Sequence, residues 1–280
     1  LVNALGIAVK TTDYAKGVVD AHETQMPVAS ADPANDRINF NKQDAINRTV
    51  AELTDPSIKD KTGIGIAEQT HLNLNNKPIA KIDPNGYKDP AGHTTRFFYD
   101  DMGNKRFEIR PDGSVTERGY DPFNQLRFNR VYHLKLTPSE LLQLNDKTTL
   151  TEISLLMGVK AEENLDSQTW YFRDVHGREV YQVELLWDNK AKKMQGIVHE
   201  KQYNEASFNT VTLHYANLID ATNIANLTTE QVDALLQRSP NQDRKTYHVP
   251  DNKGRERFTF EPDGTVIEQQ VDNFDNRIMR

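Results

Sequence analysis

The chain has 280 residues, a net charge of -7 and a mean hydropathy of -0.73, and 36% of its residues are hydrophobic. No apolar run is long enough for a transmembrane helix, the acidic balance argues against a general nucleic-acid binder, and the lack of cysteine excludes disulfides and thiolate chemistry. The sequence begins at Leu1 without the pattern of a signal peptide, and we expect it to be a segment of a longer polypeptide.

Residues 1–77 form an N-terminal region without a clear repeating pattern. Within it, the apolar residues at 45, 46, 50 and 53 fit one face of a helix. We therefore predict an irregular N-terminal region that contains a helix near 41–53.

Three later stretches share fixed spacings, which is the signature of internal repeats. In each, an aspartate precedes a glycine by three positions and an aromatic residue follows that glycine by four. The sets are Asp100, Gly103 and Phe107; Asp174, Gly177 and Tyr181; and Asp251, Gly254 and Phe258. The first glycines of successive copies lie 74 and 77 residues apart.

A second glycine follows the aromatic residue in each copy. The first and third copies carry Pro-Asp-Gly, in which proline presets φ, aspartate caps the backbone and glycine accepts positive φ. Seven residues after the second glycine stands an apolar or aromatic residue. The residues of this second set are Asp112, Gly113 and Tyr120 in the first copy, Gly196 and Tyr203 in the second, and Asp263, Gly264 and Val271 in the third. Alternating strands flank these turns, so we predict β-hairpins over 78–133, 169–217 and 246–280.

Two helical inserts, 134–168 and 218–245, separate the predicted hairpins. In the first, Thr137 and Glu140 form a capping box around Pro138, and in the second Thr228 and Gln231 repeat the scheme. Residues 147–157 predict a further helix in the first insert. The sequence therefore predicts a mainly β fold of successive antiparallel hairpins with short α-helical inserts.

The repeats resemble the YD-repeat, or Rhs-repeat, family, whose units carry Tyr-Asp, a following glycine and Pro-Asp-Gly or Asp-Pro-x-Gly turns. Tyr99-Asp100 and Tyr120-Asp121 fit this pattern best, whereas Arg173 and Pro250 replace the tyrosine in the other copies. The resemblance implies a curved, spiralling sheet of YD-repeat hairpins. It further implies a non-enzymatic shell segment of a large exported bacterial toxin protein, secreted or at the cell surface. Its partners would be neighbouring repeats of the same polypeptide and an encapsulated C-terminal toxin segment. We do not expect it to bind nucleic acid.

The motifs of common enzymes are missing from the sequence. HExxH, GxSxG, Walker and GxGxxG patterns do not occur. We expect no catalytic residue, no cofactor and no metal ligand. A dense group of short polar side chains favours Asx-turns, with a weak calcium site as the alternative. Its members are Asp83, Asn85, Asp89, Asp100 and Asp101. For Asp83 and Asp89 an ordinary repeat turn is favoured over self-cleavage.

The second copy carries nine extra residues around 185–195, which predict an extended loop. This loop is the first candidate for a contact with a partner. An alternative function is a surface adhesin or carbohydrate-binding array, in which exposed aromatic side chains stack on sugar rings. The candidate contacts are Trp170, Trp187, Lys190, Lys192 and Lys193.

Overall fold

The computed structural model describes residues 2, 10–13, 18–20, 28–29, 37–43, 49–54, 67–83, 91–204, 210–251, 253–271 and 277–279. This part of the chain is mainly β, built from antiparallel hairpins with short helices between them. The predicted fold class is thereby confirmed. The chain divides into two compact units, one comprising Leu1–Val115 and Lys135–Leu156 and the other Thr116–Leu134 and Met157–Arg280.

Most strands of the first unit pair with their neighbours in chain order. Antiparallel ladders connect each strand from β4 to β8 with the next, β1 pairs with β4, and β2 pairs with β3 in a separate two-stranded sheet. The strands are β1 (Lys10–Asp13), β2 (Val18–Asp20), β3 (Val28–Ala29), β4 (Arg37–Gln43), β5 (Thr49–Thr54), β6 (Ala67–Leu72), β7 (Pro78–Ile82), β8 (Thr94–Tyr99) and β9 (Lys105–Ile109).

The second unit has the same antiparallel scheme, and its first strand includes Val115 from the end of the first unit. The strands are β10 (Val115–Tyr120), β11 (Leu126–Val131), β12 (Ser167–Arg173), β13 (Glu179–Asp188), β14 (Lys193–Tyr203), β15 (Thr210–His214), β16 (Ile219–Asp220), β17 (Arg244–Pro250), β18 (Glu256–Phe260), β19 (Val266–Glu268), β20 (Gln270–Val271) and β21 (Arg277–Met279). Both inserts leave the sheet between strands that pair directly, since β11 pairs with β12 and β15 pairs with β17. An insert therefore interrupts the chain without interrupting the ladder.

The helices lie in the inserts, as predicted. They are α1 (Pro138–Gln143), α2 (Leu150–Lys160) and α3 (Thr229–Leu235), with 3-10 turns at Ala91–His93 and Ile224–Asn226. Thr137 with Glu140 and Thr228 with Gln231 form the two capping boxes. Thr149 and Glu152 make the same reciprocal hydrogen bonds at the start of α2, a cap that the sequence analysis missed.

The helix predicted near 41–53 is wrong over the described residues of that range. These residues lie in β4 and β5, where Asn41 pairs with Glu52 and Phe40 with Leu53. The spacing of the apolar residues fits a helix, but Ile38 and Phe40 already alternate with polar residues upstream. Pairing of β5 with β6 then favours the extended conformation, since tertiary context overrides local periodicity.

The nine extra residues of the second copy do not form the predicted extended loop. They lengthen β13 and β14, so that Leu186 pairs with Gln195 and Asp188 with Lys193. The hairpin turns between these last two residues. Gly196 therefore lies inside β14 and not at a turn. A Cβ added to Gly196 in this position would stand 2.5 Å from Cγ1 of Val183.

One face of the second unit's sheet is buried under the insert that carries α3; we name it the covered face. A hydrophobic core cluster fills the space between the sheet and this insert, and Val232 of α3 is fully buried in it. The strand residues of this cluster are Trp170, Phe172, Tyr181, Val183, Met194, Val198 and Leu213. The opposite face, which we name the polar face, carries Gln182, Glu184, His199, Lys201, Thr212 and His214.

Candidate functional site

The repeat aspartates are used in the turns themselves. Asp174 Oδ1 accepts hydrogen bonds from the backbone N–H groups of His176 and Arg178, both at 2.9 Å. Asp251 Oδ1 does the same for Lys253 and Arg255, at 2.8 and 3.0 Å. Asp100 accepts from the backbone of Asn104 at 2.8 Å. In each turn the glycine N–H donates to the carbonyl oxygen of the aspartate, and its φ is close to +80°.

Two further turns have the same geometry but lack the glycine. Asn73 Oδ1 accepts from the backbone N–H groups of Asn75 and Lys77, and Asn76 takes φ 60°. Asp121 accepts from Phe123 and Gln125. Sequence reasoning missed the turn at Asn73 entirely and matched Tyr120-Asp121 to the repeat without identifying its turn, because asparagine stands where the pattern has glycine. The tolerance of asparagine for left-handed φ is the signal that could have identified them.

The aspartate should be the most sensitive side chain of such a turn. We expect Asp174→Ala to lower the free energy of unfolding by about 1–2 kcal/mol, because two backbone donors and the Arg178 guanidinium lose their acceptor. Urea denaturation would measure the change. Asp101→Ala, at an exposed aspartate in the equivalent turn of the first copy, is the matched control and should change stability by less than about 0.5 kcal/mol. Equal effects of the two substitutions would contradict the assignment.

The Asp251 turn of the third copy makes the free energy of unfolding depend on pH in the acidic range. The side-chain hydrogen bond from Arg255 lowers the pKa of Asp251 to about 2, below the unfolded value of about 3.9. A depressed folded-state pKa stabilises the protein above the unfolded pKa, and that contribution is lost as pH falls from about 4 through 2. Thermal unfolding midpoints of the wild type should fall more steeply over this window than those of Asp251→Asn. Parallel curves would contradict the prediction.

A glutamate–tyrosine hydrogen bond recurs where each insert begins. Tyr132 donates its hydroxyl to Glu117 at 2.6 Å, and Tyr215 donates to Glu200. Each glutamate stands four residues after the second glycine of its copy, and each tyrosine follows its glutamate by fifteen residues. Burial first, and then the hydrogen bond to the carboxylate, raises the pKa of Tyr132 and of Tyr215. We name this contact the latch.

The second insert is fastened to the covered face by further polar contacts. Tyr181 donates its hydroxyl to Asp233 of α3 at 2.6 Å, and Arg238 binds the same carboxylate oxygen at 2.6 Å. Arg127 donates to the carbonyl oxygen of Leu227 at 2.8 Å, and its guanidinium lies 4.3 Å from the Phe172 ring centroid. The titratable groups under this insert therefore fix its position.

The first insert returns to the sheet through a buried aspartate. The Asp166 side chain has 0% exposure and binds Arg130 Nε at 2.9 Å. It also accepts hydrogen bonds from the backbone N–H groups of His133 at 2.8 Å and Glu162 at 3.1 Å. One carboxylate thus joins the end of β11, the end of the insert and the start of β12.

The predicted ligand-contact residues do not form a joint site. Trp170 is 9% exposed and stacks on Phe128 at 4.9 Å between ring centroids, so it is a core residue with no free ring face to offer a sugar. Trp187 packs against the same core cluster and is partly buried. Lys190 and Lys192 are exposed at the turn of the long hairpin, and Lys193 pairs with Asp220 at 2.9 Å.

The polar face carries a row of titratable side chains on β13, β14 and β15, and His248 and Glu256 lie further along on β17 and β18. Nδ1 of His199 and Nδ1 of His214 are 2.6 Å apart, and His199 Nε2 is 3.7 Å from Glu184. Burial, followed by the proximity of His214, lowers the pKa of His199. His248 lies against Thr212 and Glu256. Among the described residues no group of three or more His, Asp or Glu side chains is arranged to hold a metal ion.

The polar residues considered for calcium are separated in their roles. Asp100 belongs to a turn, Asp83 lies 3.2 Å from His93, and Asp101 is exposed. Asn85 and Asp89 lie outside the described residues. No helix in the described part of the chain is long and apolar enough to span a membrane.

No protein-family model and no curated protein matches the chain. Among solved structures, the crystal structure of TcdB2-TccC3-TEV is similar with a TM-score of 0.40 and 12% identity, covering 85% of this chain and 12% of that one. The Tc holotoxin pore of Photorhabdus luminescens gives a TM-score of 0.28 at 9% identity, over 97% of this chain and 19% of that one. The crystal structure of TcdB2-TccC3 gives 0.20 at 9%, over 99% and 20%. This chain therefore spans between 12% and 20% of the length of those chains.

Proposed function

We propose that the chain is a non-enzymatic shell segment of a large exported bacterial YD-repeat toxin protein, secreted or at the cell surface. One observation carries the proposal: the sheet of the second unit has one face covered by the second insert and one polar face, and its ladder continues past each insert, from β11 to β12 and from β15 to β17. Such a sheet can extend indefinitely by adding copies, which suits an enclosing wall.

The polar face is suited to border a wet lumen. It presents carboxylates, imidazoles and amides rather than an apolar surface, so it needs no partner to cover it. The covered face obtains its apolar partner from the second insert. A sheet of this kind needs only modest apolar content, in agreement with the hydrophobic fraction of 36%.

The repeat aspartates support a structural role rather than catalysis. The carboxylate oxygens of Asp174 and Asp251 accept hydrogen bonds from the turn backbone and from a neighbouring arginine side chain. Asp233 is engaged by Tyr181 and Arg238. These groups hold the hairpins and the second insert in place.

The proposal is tested on the whole parent polypeptide. After a limited protease treatment that nicks the chain, a C-terminal segment should stay with the shell during size-exclusion chromatography and separate only on denaturation. Immediate separation after nicking would contradict an enclosing function. A glycan array tests the adhesin alternative: binding that Trp187→Ala abolishes and Val175→Ala, at an exposed control position, leaves intact would favour adhesion.

A further inference from the structure

An apolar row crosses the third copy on three neighbouring strands. Tyr247 pairs with Phe260, and Phe260 pairs with Val266, so the three side chains point to the same face. They are 47%, 40% and 54% exposed. We name these three residues the open row. Three large apolar side chains placed together at this exposure form a patch rather than scattered surface residues.

The open row continues the covered face. Leu213 is buried in the core cluster and Val211 packs against it from the same strand face. Val211 pairs directly with Tyr247, which is the first member of the row. The surface that α3 and its insert cover in the second copy therefore runs on, without a change of face, into the third copy, where it is exposed.

In the first copy, two of the three equivalent positions are apolar and buried, and the third, opposite Ile109, is Arg96. Phe260 and Val266 correspond in sequence to Ile109 and Val115, each 0% exposed. Leu136, just before the α1 cap, is 3% exposed, and its N–H donates to the carbonyl oxygen of Gly113 at 2.8 Å. An added Cβ on Gly113 would meet the Leu136 carbonyl oxygen at 2.2 Å, whereas one on Gly264 meets nothing within 4 Å.

The third copy also has the glutamate of the latch. Glu268 stands four residues after Gly264, as Glu117 and Glu200 stand after Gly113 and Gly196. The register agrees, because Phe258 pairs with Glu268 as Tyr181 pairs with Glu200. In place of a tyrosine, Arg257 binds Glu268 at 2.6 Å.

We propose that the open row is the docking site of a third insert, a helical segment of the same polypeptide that begins with a tyrosine for Glu268 and continues into a threonine-capped helix. The inference rests on the proposed function, since it requires a parent polypeptide longer than these 280 residues. The insert places an apolar residue of its leucine-threonine cap over Phe260 and Val266, and its tyrosine replaces Arg257 at Glu268.

Thiol labelling tests the proposal, because the chain has no cysteine of its own. Val266→Cys and the control Val175→Cys, at a position 94% exposed, are made in the 280-residue chain and in the full parent polypeptide. We expect the thiol at 266 to react at least about 100-fold more slowly in the parent than in the 280-residue chain, and the thiol at 175 to react at the same rate in both. A benzophenone attached at 266 should then cross-link to a segment of the same polypeptide that follows Arg280.

Three results would overturn the proposal. These are equal labelling rates at 266 in the two proteins, a cross-link to a second copy or another polypeptide, and protection in the 280-residue chain that grows with its concentration. If Val266→Cys fails to fold, hydroxyl-radical footprinting of Phe260 and Tyr247 in the unmodified proteins gives the same comparison. Loss of the enclosed segment after nicking is a separate result, which would contradict the proposed function while the protection at 266 remained.

Discussion

Replacing Asp166 by alanine should lower the free energy of unfolding by about 3–5 kcal/mol, which is the usual cost of removing one partner of a buried ion pair. The Arg130 side chain is 16% exposed, so its guanidinium would lose its carboxylate with little water to replace it. The backbone N–H groups of His133 and Glu162 would lose their acceptor as well. Chemical denaturation followed by circular dichroism measures the change.

Glu163→Ala is the matched control for this substitution. Glu163 is an exposed carboxylate in the same turn, and its removal should change stability by less than about 0.5 kcal/mol. If Asp166→Ala cost no more than the control, the aspartate would not be what joins the first insert to the sheet. The near-ultraviolet circular dichroism signal of Tyr132 is obtained as the difference between a protein and its Tyr132→Phe variant. A smaller difference in the Asp166→Ala background than in the wild type would show that the packing around the first insert has loosened.

Phe172→Ala should destabilise the chain by about 3–5 kcal/mol, as expected for truncation of a buried aromatic ring that leaves a cavity. Phe172 is 0% exposed and belongs to the cluster under α3. Its ring also supports the guanidinium of Arg127, which holds Leu227 at the entrance to the helix. The substitution therefore weakens both the core and one fastening of the insert.

Phe123→Ala is the matched control, because it removes a phenyl ring that is not buried. Phe123 is 84% exposed in a turn, and we expect its replacement to change the unfolding free energy by less than about 0.5 kcal/mol. Urea midpoints of the two variants and the wild type, compared at constant m-value, provide the measurement. A Phe172→Ala variant within about 1 kcal/mol of the wild type would mean that the cluster can refill the space.

The parts of the fold that sequence reasoning predicted are those set by short-range chemistry. The capping boxes at Thr137 and Thr228 involve residues three positions apart, and the Asp-x-x-Gly turns at Asp174 and Asp251 close within five residues. In such motifs the residue types themselves satisfy the backbone groups, so that the pattern carries the geometry.

The parts that it missed depend on which strand lies beside which. The latch joins Glu117 to Tyr132 across two strands, and 10 tyrosines and 41 acidic residues offer too many pairs to choose from without the register. Trp170 could have faced either side of the sheet, and only its pairing with Phe128 and Val183 places it in the core. The helix predicted near 41–53 was wrong for the same reason, since β4 and β5 form by pairing with each other and with β6.

The inserts leave the sheet between strands that pair directly. The width of the sheet, measured across its strands, is therefore set by the number of strands and not by the number of residues. The second copy contributes four strands, β12 to β15, before the ladder passes to β17. At a spacing of about 4.8 Å between strands, one copy advances the sheet by about 19 Å. An insert can therefore grow or shrink over evolution without changing this step. The width of a sheet built from such copies therefore depends on the number of copies and not on the length of the inserts.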